Sequence, residues 1–221
     1  GGVIDHIVNE KTDTMGNWPI FSFDVEHPGL YVITSYNGGG AWTHIITNPP
    51  AIGYWEAGIV DEIDFDAINK TGWAKDWYVE RSYPLHTYGK SFIAGPESDY
   101  SIASKPVGQM LEIIPLTNIT EVGNGDFEFQ VLYQGQPFSD LELIAQKVGD
   151  DTKIRGTTDA EGKAMLNLSS TDELSEWVVV ADTLMDTRVV EVRDAPRGEA
   201  SNEKSYVGPV YRAVVVLRTD F

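Results

Sequence analysis

The second half of the chain is written almost entirely in short alternating runs, and this rhythm constrains the fold more than any other feature. In order they are QMLEIIPLT, DFEFQVLY, DLELIAQKV, TKIRGTT, KAMLNLS, EWVVVADT, TRVVEVR and YRAVVVLRT. Alternation with period two sends successive side chains to opposite faces of a strand, so each run has one face that needs a covering layer. Turn residues separate most of the runs. Many short strands at this spacing predict a β-sandwich. In TTDAEGKAMLNL, Thr157–Leu168, the acids Asp159 and Glu161 raise the question of a cation loop. The segment reads instead as a turn of the hairpin kind, with Gly162 free to take positive φ and solvated acids beside it. After the turn, Ala164, Leu166 and Leu168 fall on one face, and Lys163, Met165 and Asn167 on the other.

The first half is less regular. IFSFDV (Ile20–Val25) and LYVITSY (Leu30–Tyr36) predict a hairpin around the Pro28-Gly29 turn signal. AWTHIIT (Ala41–Thr47) predicts a third strand, reached through Gly38, Gly39 and Gly40, which permit an irregular backbone; the prolines after it end the strand. Residues 51–90 differ in texture, with acids and aromatic rings mixed. Ile59, Ile63 and Ala67 recur four apart, which predicts a partly helical insertion; Val60, Phe65 and Ile68 blur that stripe. HTYGKSFIAG (His86–Gly95) returns to strand. The Gly-, Pro- and Ser-rich stretch Gly95–Gly108 reads as a junction, with a boundary near 105–115. The expected architecture is all-β: two β-sandwich-like domains, 1–106 with the insertion at about 51–90, and 107–221.

Composition narrows the partners. Among 221 residues, 34 Asp+Glu oppose 16 Lys+Arg, a formal net charge of −18. Nucleic acid and anionic membrane surfaces would repel such a chain, whereas cations would not. A hydrophobic fraction of 42% supports real cores and argues against disorder. With no cysteine, disulfides, thiolate metal sites and a cysteine nucleophile are excluded. No apolar run is long enough to cross a membrane as a helix. The opening GGVIDHIVNE reads as the interior of a longer chain, or as a trimmed start with a tag-derived glycine, so a signal peptide is expected to have been removed.

Two resemblances rest on particular residues. GQPFSDLELIAQ (Gly135–Gln146), TTDAEGKAMLNL (Thr157–Leu168) and EWVVVADT (Glu176–Thr183) together resemble the transthyretin-like, or carboxypeptidase-regulatory-like, sandwich module. That implies a transthyretin- or Ig-like second domain. VGQMLEIIPLTNITEVGNGDFEFQVLYQGQPFSD (Val107–Asp140), with HPGLYVI and WT inside His27–Thr43, resembles a family of unknown-function proteins described as periplasmic components of cobalt or nickel uptake systems. This second resemblance implies a periplasmic or extracellular binding component, not an enzyme, that handles a divalent transition metal beside a membrane transporter.

The candidate chemistry follows from residue types. Imidazole nitrogen suits nickel, cobalt and zinc, with carboxylate as co-ligand. The four histidines have no local ligand spacing, so a site must assemble in three dimensions. His6 (beside Asp5), His44 (beside Trp42) and His86 (between Tyr83 and Tyr88) are the metal-ligand candidates, and His27, next to Pro28, reads as a bystander. Asp61, Asp64 and Asp66 offer hard oxygen ligands, but the calcium-loop pattern fails for want of the turn glycine and the closing glutamate. They read as a solvated acidic face. The rings of residues 51–90 give the alternative site. Trp55, Trp73, Trp77 and Tyr83, with Tyr54, Tyr78 and Tyr88 nearby, either line a carbohydrate groove or fill a core. No nucleophile elbow and no phosphate loop occurs. The reading is therefore a metal-uptake binding component, with an adhesion or carbohydrate-binding module as the alternative.

Overall fold

The structure is a computed structural model that describes residues 12–15, 18–21, 28–38, 40–48, 52–58, 62–64, 76–172, 174–184, 188–191, 204–207 and 209–219. It is an all-β, sandwich-like fold. The strands are β1 (Thr12–Met15), β2 (Trp18–Phe21), β3 (Leu30–Asn37), β4 (Ala41–Asn48), β5 (Ile52–Ala57), β6 (Asp76–Ala94), β7 (Leu111–Pro115) and β8 (Asp126–Tyr133). They continue with β9 (Gln136–Pro137), β10 (Glu142–Lys147), β11 (Lys153–Thr157), β12 (Lys163–Asn167), β13 (Glu176–Leu184), β14 (Arg188–Glu191), β15 (Lys204–Val207) and β16 (Val210–Arg218). All eight runs of the second half are strands.

A large sheet carries the order β11-β10-β13-β16-β6, with β3 on the far side of β6. A small sheet, β12-β8-β7 with β9 on β8, forms the second layer. Leu30 and Phe92 from the first half share one buried cluster with Leu111, Phe127, Phe129, Leu143, Leu166, Val179, Val215 and Leu217. The residues on either side of the expected boundary thus contribute to one sheet and one core. The Phe127 and Phe129 rings pack at 4.9 Å between centroids. Burying such side chains contributes about 1.5–3 kcal/mol each.

Strand β6 organises the large sheet. Its C-terminal half pairs antiparallel with β3 (Leu30↔Ala94 to Asn37↔Thr87) and parallel with β16 (Val210↔Leu85 to Val215↔Lys90). Its N-terminal half pairs antiparallel with β4 (Ala41↔Pro84 to Asn48↔Asp76) and parallel with β15 at Arg81 and Ser82. β3 and β4 therefore run in one direction along the same side of β6. From Asn37 to Ala41 the chain advances four positions while β6 moves three, from Thr87 to Pro84. The registers on either side thus differ by one residue, as at a bulge in a continuing ribbon. Gly40 takes φ +83° there, and the Leu85 N–H still donates to Gly40 O at 3.0 Å. Pro84, with no N–H to give, sits at this interruption.

Two expectations change. The strand Leu30–Asn37 exists, but its partner is β6; Trp18–Phe21 pairs with Thr12–Met15 instead. Residues 22–27, the expected route between the two strands, lie outside the described residues. The Asp159 turn exists too, but it joins layers, not hairpin partners. β11 pairs with β10 in the large sheet, and β12 with β8 in the small one. Asp159 Oδ1 accepts the Glu161 and Lys163 N–H groups at 3.0 and 2.8 Å, and Gly162 has φ +72°. A Cβ on Gly162 would stand 2.7 Å from Val131 O, because the turn is pressed onto the small sheet. The alternation after it is as expected: Ala164, Leu166 and Leu168 are buried, and Met165 is exposed. In residues 51–90 the described flanks are strand, β5 and β6. Ile59, Val60, Phe65, Ala67 and Ile68, which carry or blur the helical stripe, lie outside the described residues, as do Asp61 and Asp66.

Candidate functional site

Two groups of rings sit on opposite faces of β6, each built around a histidine. The outward group uses odd-numbered positions of β6. Tyr83 is the register partner of Trp42 on β4, and His44 is the partner of Trp55 on β5, so their side chains share a face. His44 stacks on Trp55 at 4.5 Å and 20° between planes, and Tyr83 meets the edge of Trp55 at 5.8 Å. Trp42 is 39% exposed and Trp55 45%. Rings of this size are ordinarily well covered, so two partly exposed on one sheet face make this the candidate site. Further along that face, Arg212 Nε and Nη2 donate to the two carboxylate oxygens of Asp182 at 2.7 and 2.8 Å. Those bonds, with Tyr83 at longer range, hold Arg212 firmly charged against its partial burial. Below the platform, Thr43 and Ser82 are fully buried and joined at 2.9 Å, and the Thr43 hydroxyl donates to Gly58 O at 2.7 Å. These bonds pin β4 to β6, so the rings stand on a rigid base.

The inward group lies where the large sheet emerges from beneath the small one. His86 stacks against Tyr211 at 5.3 Å and lies parallel to Tyr36 at 6.1 Å. Tyr36 Oη and His86 Nδ1 are hydrogen-bonded at 2.9 Å. Tyr88 packs on Tyr36 at 5.1 Å, and Tyr133 reaches across from the small sheet to Tyr211 at 5.7 Å. Burial first, then the neighbouring phenols Tyr36, Tyr211 and Tyr133, push the Tyr88 phenol above its ordinary 10.0. Burial and Tyr133 do the same to Tyr211. Rings spaced this closely cover part of one another's faces and form a wall of stacked rings, of which Tyr36 is 60% exposed.

The sequence candidates divide accordingly. His44 and His86 both lie among the described residues, but not together. His44 is level with Arg81, and His86 lies five residues further along β6, an odd offset that turns it to the opposite face. At about 3.3 Å per residue that is roughly 16 Å of strand, against metal–nitrogen bonds of about 2.0–2.1 Å. Among the described residues no group of three or more histidine, aspartate or glutamate side chains is placed to hold a metal ion. His6, His27 and Trp73 lie outside the described residues. Trp77 is described only in its backbone, opposite Thr47. Of the ring candidates, Trp55 and Tyr83 do meet. Trp42 and the Arg212–Asp182 pair were missed as site members. Trp42 was legible only as a strand residue, and Arg212 comes from the far end of the chain.

No helix among the described residues is long and apolar enough to cross a membrane, which leaves membrane-spanning strands unaddressed. No curated protein and no solved structure matches the chain. Residues 4–172, which take in β1 to β12 and so both ring groups' β3–β6 scaffold, match the family described as a domain of unknown function (DUF4198), and the chain belongs to that family.

Proposed function

We propose that this protein is a non-enzymatic, extracytoplasmic binding module that presents its outward ring platform to carbohydrate. The observation that carries this reading is the pair of exposed tryptophans, Trp42 and Trp55, held on paired strands beside His44 and Tyr83. The apolar C–H face of a pyranose stacks on such rings, while planar polar groups such as Arg212 and Asp182 suit hydroxyls. The fold alone carries no function; the site does. For the second half we take a transthyretin-like module as the parent fold, supported by the resemblance of residues 135–183.

The test is a titration of soluble oligosaccharides followed by tryptophan fluorescence, with Trp55→Ala beside the parent protein. A saturable change that is lost in Trp55→Ala is expected. Fluorescence that stays flat across a glycan panel would sink the reading.

The competing reading is a nickel- or cobalt-uptake component working beside a membrane transporter, with His6, His44 and His86 as ligands. The resemblance of residues 107–140 favours it. The separation of His44 from His86 means that one ion could engage only one of them. If metal binds the folded chain, the melting temperature must rise with metal concentration by mass action. A thermal-shift series with Ni²⁺, Co²⁺ and Zn²⁺ that shows no movement at millimolar metal removes it.

A further inference from the structure

Neither ring group uses the charged residues that the core buries. Among the described residues these are Lys90 and Glu112, with side chains 1% exposed each. Lys90 lies on β6 of the large sheet and Glu112 on β7 of the small one, so the pair bridges the two layers. Lys90 Nζ contacts Glu112 Oε1 directly. The same Oε1 accepts the Val107 N–H at 2.7 Å, and Oε2 accepts the Gly108 and Gln109 N–H groups at 3.0 and 3.3 Å. The Gln109 side chain in turn donates to Gly89 O at 2.9 Å, tying this loop to the residue before Lys90. All of β7 is buried, so bulk water has no ready access to the pair.

We propose that Lys90 Nζ and Glu112 Cδ condense to an intramolecular amide that covalently joins the two layers. The stoichiometry closes within the pair. The ammonium passes one proton to Oε1, and the neutral amine attacks Cδ. The negative charge of the tetrahedral intermediate gathers on Oε2, where two backbone N–H groups already point. A second proton from nitrogen reaches Oε1, the Cδ–Oε1 bond breaks, and Oε1 leaves as water. One N–H remains on the new amide, and Oε2 becomes its carbonyl oxygen, still accepting from Gly108 and Gln109. Nothing is oxidised or reduced.

Three physical arguments favour the step. Burial is the largest influence on Lys90 and lowers it from its ordinary 10.5, although its bond to Glu112 opposes this; a lowered lysine more readily supplies a neutral amine. Two charges shut out of water are costly to keep, and the amide removes both. Holding the nucleophile on the carboxyl group's own oxygen replaces an encounter by a preformed contact, and exclusion of water disfavours the reverse hydrolysis. The chain has no cysteine, so no disulfide can staple its layers. The amide would seat β6, the strand that bears both ring groups.

Intact-mass spectrometry of the full chain under denaturing conditions tests this directly. The expected result is a mass below that of the sequence by one water, about 18 Da. Peptide mapping should find the segments holding Lys90 and Glu112 joined. Lys90→Arg keeps the charge but cannot form the link, and should show its full calculated mass. A parent chain at full sequence mass overturns the proposal, as does a water loss that maps elsewhere. The parent measurement decides even if the variant fails to fold.

Discussion

Strand β6 passes through two environments, and the contrast between them organises the molecule. From Tyr88 to Ala94 its inward side chains lie under the small sheet, where Lys90 is 3% and Phe92 5% exposed. Towards Asp76 the strand runs on beside β4 and β15, where the inward Thr43 and Ser82 are also fully buried. The covered part spends its side chains on packing. The extended part keeps the same backbone bonds but leaves Trp42 and Trp55 open to solvent on its outward face. One continuous sheet can thus be core on its inward face and display surface on its outward one, because strand pairing fixes the backbone without deciding what covers each face.

This contrast can be broken by mutation. The largest effect is expected for Phe129→Ala in the covered half, a loss of about 3–5 kcal/mol by urea denaturation, because a fully buried ring leaves a cavity. Next comes Gly162→Ala, expected to cost roughly 2 kcal/mol by the same measurement, since the turn needs positive φ and a Cβ would press on Val131 O and Phe138 N. A cost near zero would mean that the interlayer turn is looser than its contacts imply. Thr158→Val should cost about 1–3 kcal/mol, because the hydroxyl donates to Phe138 O at 2.8 Å and accepts from Leu141 N at 2.9 Å. Trp55→Ala, in the extended half, should cost no more than about 1.5 kcal/mol, the worth of its ring contacts, while abolishing the fluorescence response to glycan. Should it cost as much as Phe129→Ala, the platform would be core and the contrast would fail.

The smallest effect concerns the inward wall. Tyr88 and Tyr211 are raised in the folded chain, so they hold their protons to higher pH than in the unfolded chain. Their contribution to stability is complete below pH 10.0 and falls as pH rises through the window between 10.0 and their folded values. Phenolate absorbance of the folded protein should show late-titrating tyrosines, and Tyr88→Phe should remove part of that late phase. A single early transition for all ten tyrosines would place the wall in open solvent.

Much of the fold was legible locally. The runs from Leu111 to Arg218 appear as strands, and the inward choice of Ala164, Leu166 and Leu168 follows directly from alternation. The Asp159–Gly162 turn was legible as a turn, since an aspartate that caps its own loop and a glycine at positive φ are local devices. Its role in crossing between layers was not. A hairpin and an interlayer turn place the same residues at the same spacing, and only the partners of β11 and β12 tell them apart. The triple glycine gave the same ambiguity, because glycine permits both a reversal and a bulge.

The candidate site was legible only in part, and for a related reason. Residue type singled out His44, His86, Trp55 and Tyr83. Which of them would meet depended on register, since shifting a strand by one residue turns every side chain to the other face. Register put His44 with Trp55 and Tyr83, and His86 with Tyr36 and Tyr211 on the reverse side. It also brought Arg212 and Asp182 from the last strands to the first half's platform, and Lys90 against Glu112 across the layers. By itself the sequence determined the strands of the second half, the Asp159–Gly162 turn and the inward face of regularly alternating strands such as β12, because these follow from nearest neighbours along the chain. The tertiary structure alone decided which strands lie side by side and where the small sheet stops, because those depend on contacts between residues that are remote in sequence.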